Sequence, residues 1–172
     1  MLIFLIGFMG SGKTTAGRML AASLRYSFAD LDQLIEEREG MAITGIFARR
    51  GEDYFRRTEA EVLESLIGRS RLVVACGGGT ACFHDNIKKM KSAGITLYLK
   101  VSPGLLAKRL ADQHSTRPLV AGMHGDRLKN HIRKLLAGRE SWYRQSHIIY
   151  DADNFDLQEL LDLISNFAGP QR

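Results

Sequence analysis

Leu2-Ile3-Phe4-Leu5-Ile6-Gly7-Phe8-Met9-Gly10-Ser11-Gly12-Lys13-Thr14 is the stretch that decides the fold. An apolar run leads without a break into Gly7 to Thr14, which satisfies the spacing G-x-x-x-x-G-K-[ST]. In that pattern the glycines let the chain turn so that successive backbone N–H groups point inward at phosphate oxygens. The lysine reaches the β and γ phosphates, and the hydroxyl residue is offered to Mg²⁺. Such a loop needs a strand before it and a helix after it. Leu2 to Ile6 predicts the strand. Ala16, Met19, Leu20, Ser23 and Leu24 fall at i, i+3, i+4, i+7 and i+8, which predicts a helix with that stripe inward and its positive end toward the phosphates. A glycine turn without a ligand has no use for lysine and threonine at the two places that meet phosphate and metal.

Outward from this loop, strand-like runs alternate with helix-like periods. Leu2 to Ile6, Ser27 to Asp30, Leu72 to Cys76, Ile95 to Val101 and His147 to Tyr150 read as strands. Glu59/Val62/Leu63/Leu66/Ile67 and Leu157/Leu160/Leu161/Ile164 read as amphipathic helices, and Ser102-Pro103 opens another as N-cap and first-turn proline. Alternation of this kind predicts a parallel sheet covered by helices on both faces. No repeat or linker divides the 172 residues, so one α/β domain is expected over 1–172, large enough to bury about 70% of its unfolded surface. The irregular stretch Asp112 to Gly125, with Pro118, Gly122 and Gly125 among polar residues, predicts a lid or binding loop.

Composition narrows the partners. Lys and Arg number 24 against 19 Asp and Glu, a formal charge of +5, but the basic residues are scattered and form no aromatic-rich stripe. Nucleic acid is therefore not expected; a solvated surface and arginines gathered around small anions account for the excess. Cys76 and Cys82 are too few and too close for an extracellular disulfide framework, which predicts a reducing, cytoplasmic setting. No basic residue precedes Leu2 to Ile6, which reads as a buried strand rather than a signal peptide. No stretch approaches the roughly 20 apolar residues of a membrane span.

Candidate chemistry follows from position. Asp30 and Asp32 sit two apart at the end of the second strand, where a period of two places both carboxylates on one side, at the strand ends where ligands gather. One carboxylate can hold hydrated Mg²⁺ while the other receives a hydroxyl proton; equally, either can cap the next helix. In a helix from Glu52 to Ile67, Arg56 lines up with Ala60, Leu63 and Ile67, whereas Arg57 lines up with Glu61 and Glu64. Arg56 is thus expected inward and Arg57 in solvent. Arg139 returns to the stripe of Leu128, Ile132, Leu135 and Leu136. An inward guanidinium needs an anion, either an internal acid or a ligand carboxylate. Gly77-Gly78-Gly79 follows the third strand, where backbone amides can meet a ligand closely. From these residues the acceptor is a small polyol bearing a carboxylate.

Together the segments resemble the shikimate kinase family across nearly the whole chain. Gly10 to Thr15 match its phosphate loop, Asp30-Leu31-Asp32 its paired acids, Phe55-Arg56-Arg57 its helix arginine motif and Gly77-Gly78-Gly79 its triple glycine. Thr116-Arg117-Pro118-Leu119 is similar to its lid, and Arg139 through Tyr143 to its arginine-to-tyrosine segment. The glycine loop alone is common to many nucleotide-binding families; the ordered set is specific. The resemblance implies a nucleoside-monophosphate-kinase-like three-layer sandwich around a parallel sheet in the order 2-3-1-4-5, with an acceptor-binding helical region near 32–62 and a lid near 112–125. It implies transfer of the ATP γ-phosphate to the 3-hydroxyl of shikimate, in chorismate and aromatic amino acid synthesis, by a cytoplasmic monomer.

The implied roles attach to particular residues. Gly10, Ser11, Gly12, Lys13, Thr14 and Thr15 would hold ATP phosphates, with Arg109 and Arg117 also contacting ATP. Thr14 and Asp30 would hold Mg²⁺. Asp32 would bind and orient shikimate hydroxyls, Arg56 and Arg139 would clamp its carboxylate, and Gly77, Gly78 and Gly79 would supply amide contacts. Lys13, Asp32 and Arg117 would be catalytic. The chain departs from the family pattern at Cys76, where a small hydroxyl residue often stands, at Glu140-Ser141 in place of Ala-Pro, and over Asp151 to Asn154, which lacks an arginine beside adenine.

Other classes must explain the same residues. A P-loop kinase of gluconate or of a nucleotide keeps Lys13 and Thr14 but has no specific need for the triple glycine with Arg56 and Arg139. A GTPase switch carries N-K-x-D and D-x-x-G, and neither occurs. A silent ATP-binding regulator has no need of Lys13, Thr14, Asp30 and Asp32 together.

Overall fold

The computed structural model of the chain describes residues 1–112 and 123–169. Its strands are β1 (Leu2–Ile6), β2 (Ser27–Asp30), β3 (Leu72–Ala75), β4 (Ile95–Lys100) and β5 (Ile148–Asp151). The helices are α1 (Lys13–Leu24), α2 (Leu31–Glu39), α3 (Ile43–Leu66), α4 (Asn86–Ala93), α5 (Pro103–Asp112), α6 (Gly125–Tyr143) and α7 (Leu157–Ala168). A single 3₁₀ turn covers Thr80–Cys82.

All strand pairs are parallel, in the order β2-β3-β1-β4-β5. A parallel sheet is buried on both faces, so its central strand reads as a continuous apolar run rather than an alternating one. β1 does so: every residue from Leu2 to Ile6 is buried. β1 pairs with β3 on one side (Leu5 opposite Ala75) and with β4 on the other (Leu5 opposite Leu97). The chain steps to opposite sides of β1, and in open α/β sheets the crevice at the carboxyl ends of such strands receives the ligand. The phosphate loop after β1 and the triple glycine after β3 are thereby brought side by side.

The expected strands and helices are present, with edges shifted by a residue: β3 ends at Ala75 rather than Cys76, and β5 runs to Asp151. Two expectations need correction. The inward stripe of α1 is Ala16, Gly17, Leu20 and Ala21, whereas Met19 is 41% exposed and Ser23 is in solvent. The helix lies so close to the sheet that a methyl on Gly17 would come within 2.6 Å of Phe28 and 3.0 Å of Leu5. Small residues take the contact face, and the larger Met19 is turned out. In α3, the expected helix from Glu52 is preceded by another that joins it at Gly51, whose φ of 78° and ψ of 173° break the helical path. Of the stretch expected to be irregular, Asp112 ends α5, His124 is the N-cap of α6 and Gly125 begins it; residues 113–122 of the expected lid, Arg117 among them, lie outside the described residues. Among the described residues no helix is long and apolar enough to cross a membrane.

Candidate active site

Gly12, at φ 90° and ψ 16°, holds the left-handed turn that lets α1 begin at Lys13. That conformation strains any residue with a Cβ. The Lys13 ammonium is buried and curls back over its own loop, donating to the carbonyls of Phe8 at 2.8 Å and Gly7 at 3.0 Å and to Ser11 Oγ at 3.4 Å. Arg109, from α5, donates to the carbonyls of Ser11 at 3.3 Å and Gly10 at 3.4 Å. Two cations thus hold the carbonyl side of the loop, and the Ser11 N–H closes it by donating to the Phe8 carbonyl at 3.2 Å.

Asp30 performs two tasks. It is the N-cap of α2, its Oδ1 accepting from the N–H groups of Asp32 at 3.1 Å and Gln33 at 3.4 Å, and its Oδ2 accepts from the Thr14 hydroxyl at 2.7 Å. Hard oxygen donors on a hydroxyl and a carboxylate, beside a phosphate loop, suit a divalent cation that keeps waters and takes phosphate oxygens as further ligands. Asp32 reaches the same cavity by a different route from the one expected. The strand ends at Asp30, so Asp32 stands in the first turn of α2, and helical geometry rather than strand alternation sets its direction. A methyl on Gly77 would come within 2.7 Å of Asp32 Oδ1 and 2.9 Å of Glu59 Oε1, so the turn after β3 must be glycine for these carboxylates to approach it.

A cavity of about 420 Å³ joins these parts. Gly10, Ser11, Gly12, Lys13, Thr14, Thr15, Asp30, Asp32, Gly78 and Arg109 all line it, together with Cys76, Ala152 and Phe155. Cys76 is buried, with Sγ 3.7 Å from Met90 Sδ, and burial pushes its thiol far above the ordinary range, so it lines the site as a neutral group. Ala152 and Phe155 lie near the segment that lacks an adenine-side arginine. Phe155, edge-on to Tyr150 with centroids 6.0 Å apart, offers an apolar face there that sequence reasoning missed.

Arg56 and Arg139 do not line that cavity; they lie against the glycine turn, Arg56 beside Gly79 and Arg139 beside Gly78. As helical phase predicts, Arg56 is buried and Arg57 exposed. The anion of Arg56 is internal: Glu59 Oε2 accepts from Nη1 at 2.8 Å, and Glu52 Oε1 accepts from Nε and Nη2 at 3.2 Å. A methyl on Gly79 would strike the guanidinium nitrogens at 2.7 Å. Glu59, fully buried, also accepts from Thr80 Oγ1 at 2.6 Å, and Asn86 Nδ2 donates to the Thr80 carbonyl at 3.0 Å. The sequence reading assigns Glu59 no role; an acid three residues beyond an inward arginine is the available signal.

Arg139 Nη1 donates to the Gly78 carbonyl at 3.4 Å, and the buried Tyr143 hydroxyl donates to the same oxygen. Its guanidinium lies 5.7 Å from the Phe8 ring centre. Both arginines act on Cys82, whose thiol burial pushes up to about 11 against the opposing pull of Arg139 and Arg56. The arrangement can therefore hold a phosphorylated ligand at the loop and a second, carboxylate-bearing ligand beyond Asp32.

Comparison with known proteins agrees with this geometry. The family model described as shikimate kinase matches residues 9–167. The shikimate kinase of Parabacteroides distasonis is 41% identical over 164 residues, 95% of each chain. The solved shikimate kinase of Bacteroides thetaiotaomicron superposes with a TM-score of 0.90 at 36% identity, over 95% of this chain and 97% of that one. The shikimate kinase from Acinetobacter baumannii in complex with shikimate gives 0.85 at 36% identity, over 95% and 92%. A deoxyadenosine kinase at 14% identity and a TM-score of 0.59 shares the fold alone. With the phosphate loop, the acid pair, the buried arginine and the triple glycine all in the order and places described, this chain belongs to the shikimate kinase family.

Proposed function

We propose that the protein transfers the γ-phosphate of ATP to the 3-hydroxyl of shikimate, yielding shikimate 3-phosphate and ADP on the route to chorismate. The observation that carries this reading is the pair of buried or half-buried guanidiniums, Arg56 and Arg139, set against the same glycine turn that meets Asp32. A second phosphate-loop ligand such as a nucleotide does not need a carboxylate clamp there. The solved relative in complex with shikimate, at 36% identity, supports the same acceptor.

Phosphoryl transfer depends almost wholly on positioning and on charge stabilisation. The loop N–H groups of Gly10 to Thr15 hold the phosphates, and Lys13 shifts its ammonium from the loop carbonyls toward the transferring group. Arg109 holds the loop's carbonyl side and flanks the nucleotide. Thr14 and Asp30 are the residues that would hold Mg²⁺; the ion supplies neutralisation of phosphate charge. Asp32 orients the attacking hydroxyl and accepts its proton as the new P–O bond forms and the bond to the ADP oxygen breaks. Arg56 and Arg139 bind the carboxylate remote from that bond, with the N–H groups of Gly77 to Gly79 beside it. Arg117, carried by the resemblance, is assigned to the same phosphates. The working unit is a monomer of one domain, with α2 and α3 as the acceptor-binding region over 32–62, acting in the cytoplasm.

A coupled assay of ADP release, with and without shikimate, tests the reading. Wild-type release should require shikimate, and Lys13→Met should cut kcat on the order of 10²-fold or more with the fold retained. Equal ADP release with gluconate or a nucleoside monophosphate would replace shikimate as the acceptor.

A further inference from the structure

The acids that hold Arg56 are not equivalent. Glu59 is fully buried and itself fixed by the Thr80 hydroxyl at 2.6 Å. Phe83 lies with its ring centre 4.3 Å from the guanidinium carbon, and Gly79 is pressed against the nitrogens. These contacts hold the Nη1 side of the guanidinium. Glu52 comes from the opposite edge, one turn earlier in α3, with a side chain 55% exposed and a single oxygen shared between Nε and Nη2 at 3.2 Å each. It is the more exposed and more loosely held of the two acids, and its charge stands against the cation assigned to the substrate carboxylate.

From this asymmetry we propose that Glu52 is a built-in competitor for the carboxylate subsite, an affinity-setting residue that weakens acceptor binding rather than supporting it. The inference rests on the reading of Arg56 as a carboxylate clamp. Two carboxylates on adjoining edges of one guanidinium repel each other, so an arriving ligand either displaces the Glu52 oxygen or binds beside it at a cost. A half-exposed pair at this spacing is weak enough to yield. Because Arg56 already carries this partner, a simple anion lacking the hydroxyls that Asp32 recognises gains little from the clamp. Such a penalty falls on every carboxylate alike, so only ligands that also engage Asp32 retain useful affinity.

Glu52→Gln keeps the shape and one acceptor oxygen while removing the charge. The KM for shikimate and its calorimetric Kd should both fall about three- to fivefold, the scale of one half-exposed ion pair. kcat and the KM for ATP should stay within about twofold, because the carboxylate is bound alike before and during transfer. Inhibition by benzoate, a carboxylate without the polyol, should strengthen by a similar factor, since both ligands meet the same competitor. Glu64→Gln makes the same charge change about 18 Å further along the same helix, where Glu64 faces Lys89 at 3.7 Å, and should leave shikimate binding unaltered. A raised KM in Glu52→Gln would make Glu52 a positioning residue, and an unchanged KM a bystander; either overturns the proposal while wild-type turnover of shikimate leaves the functional reading standing. Absence of shikimate turnover in the wild type would overturn both.

Discussion

Asp30 and Asp32 differ in what can be removed from them. Asp30 closes the first turn of α2 and bonds the Thr14 hydroxyl, so its substitution mixes helix stability with metal binding. Asp32 lies inside that turn, where its backbone N–H, not its carboxylate, takes part in the cap. The helix-cap reading therefore falls to Asp30, and Asp32→Asn becomes a clean test. Asparagine keeps nearly the same shape and loses the charge that holds or receives a hydroxyl proton. General-base contributions are typically about 10²–10⁴-fold, and a loose phosphoryl-transfer transition state places the loss near the lower end. The expected outcome is a fall in kcat/KM for shikimate of about 10²-fold, with the melting temperature and ATP binding retained. Steady-state kinetics beside a thermal melt check it, and full activity would leave Asp32 without a role in transfer.

At the scale of elements, the turn after β3 and the helix α3 meet at one contact, Gly79 against Arg56. Gly79 has an ordinary φ of −106°, so alanine is acceptable to its backbone; the obstacle is the guanidinium 2.7 Å from the methyl. Arg56 is held by Glu59 and Phe83 and cannot retreat without breaking those contacts. Gly79→Ala should therefore raise the KM for shikimate on the order of tenfold to 10²-fold, the cost of a misplaced binding group, and leave the KM for ATP unchanged. An equal loss for both substrates would show that the turn itself had collapsed. The elements also mark what the sequence made legible. Helical phase separated Arg56 from Arg57, because period reports direction. It did not report the whole environment: Glu59 is the local partner three residues on in α3, but Phe83 and Gly79 come onto Arg56, and Thr80 onto Glu59, from the segment after β3, a meeting that only tertiary packing creates. The stripe of α1 was read one position off for a related reason, since hydrophobic size favours Met19 whereas close approach to the sheet favours Gly17 and Ala21. The break at Gly51 left no local signal beyond one glycine, and Phe155 reaches the cavity from a segment with no motif.

Across the whole molecule, the parallel sheet was legible in the alternation of strand and helix periods and its strand order only through the family resemblance, whereas the dependence of global stability on the site was not legible in either. Arg56 and Arg139 have the same proposed task but different places in the fold. Removing Arg56 leaves Glu59, 0% exposed, without its cation. An uncompensated buried charge costs about 3–5 kcal/mol, and the retained Thr80 hydrogen bond favours the lower end. In a domain of this size each kcal/mol moves Tm by about 2–4 °C, so Arg56→Ala should melt about 6–12 °C below wild type. Arg139 is half-buried and holds the Gly78 carbonyl jointly with Tyr143, so Arg139→Ala should melt within about 2 °C of wild type. Shikimate at 100 times its Kd should stabilise the wild type by about 2.7 kcal/mol, a rise of about 5–11 °C. That rise should vanish in both variants at the same ligand concentration, while ATP stabilises each as it does the wild type. Arg57→Ala, in solvent on the opposite face of α3, should match the wild type in every melt. A wild-type melting point for Arg56→Ala would mean that Glu59 does not depend on it, and a shikimate-induced rise in Arg139→Ala would remove that arginine from the clamp.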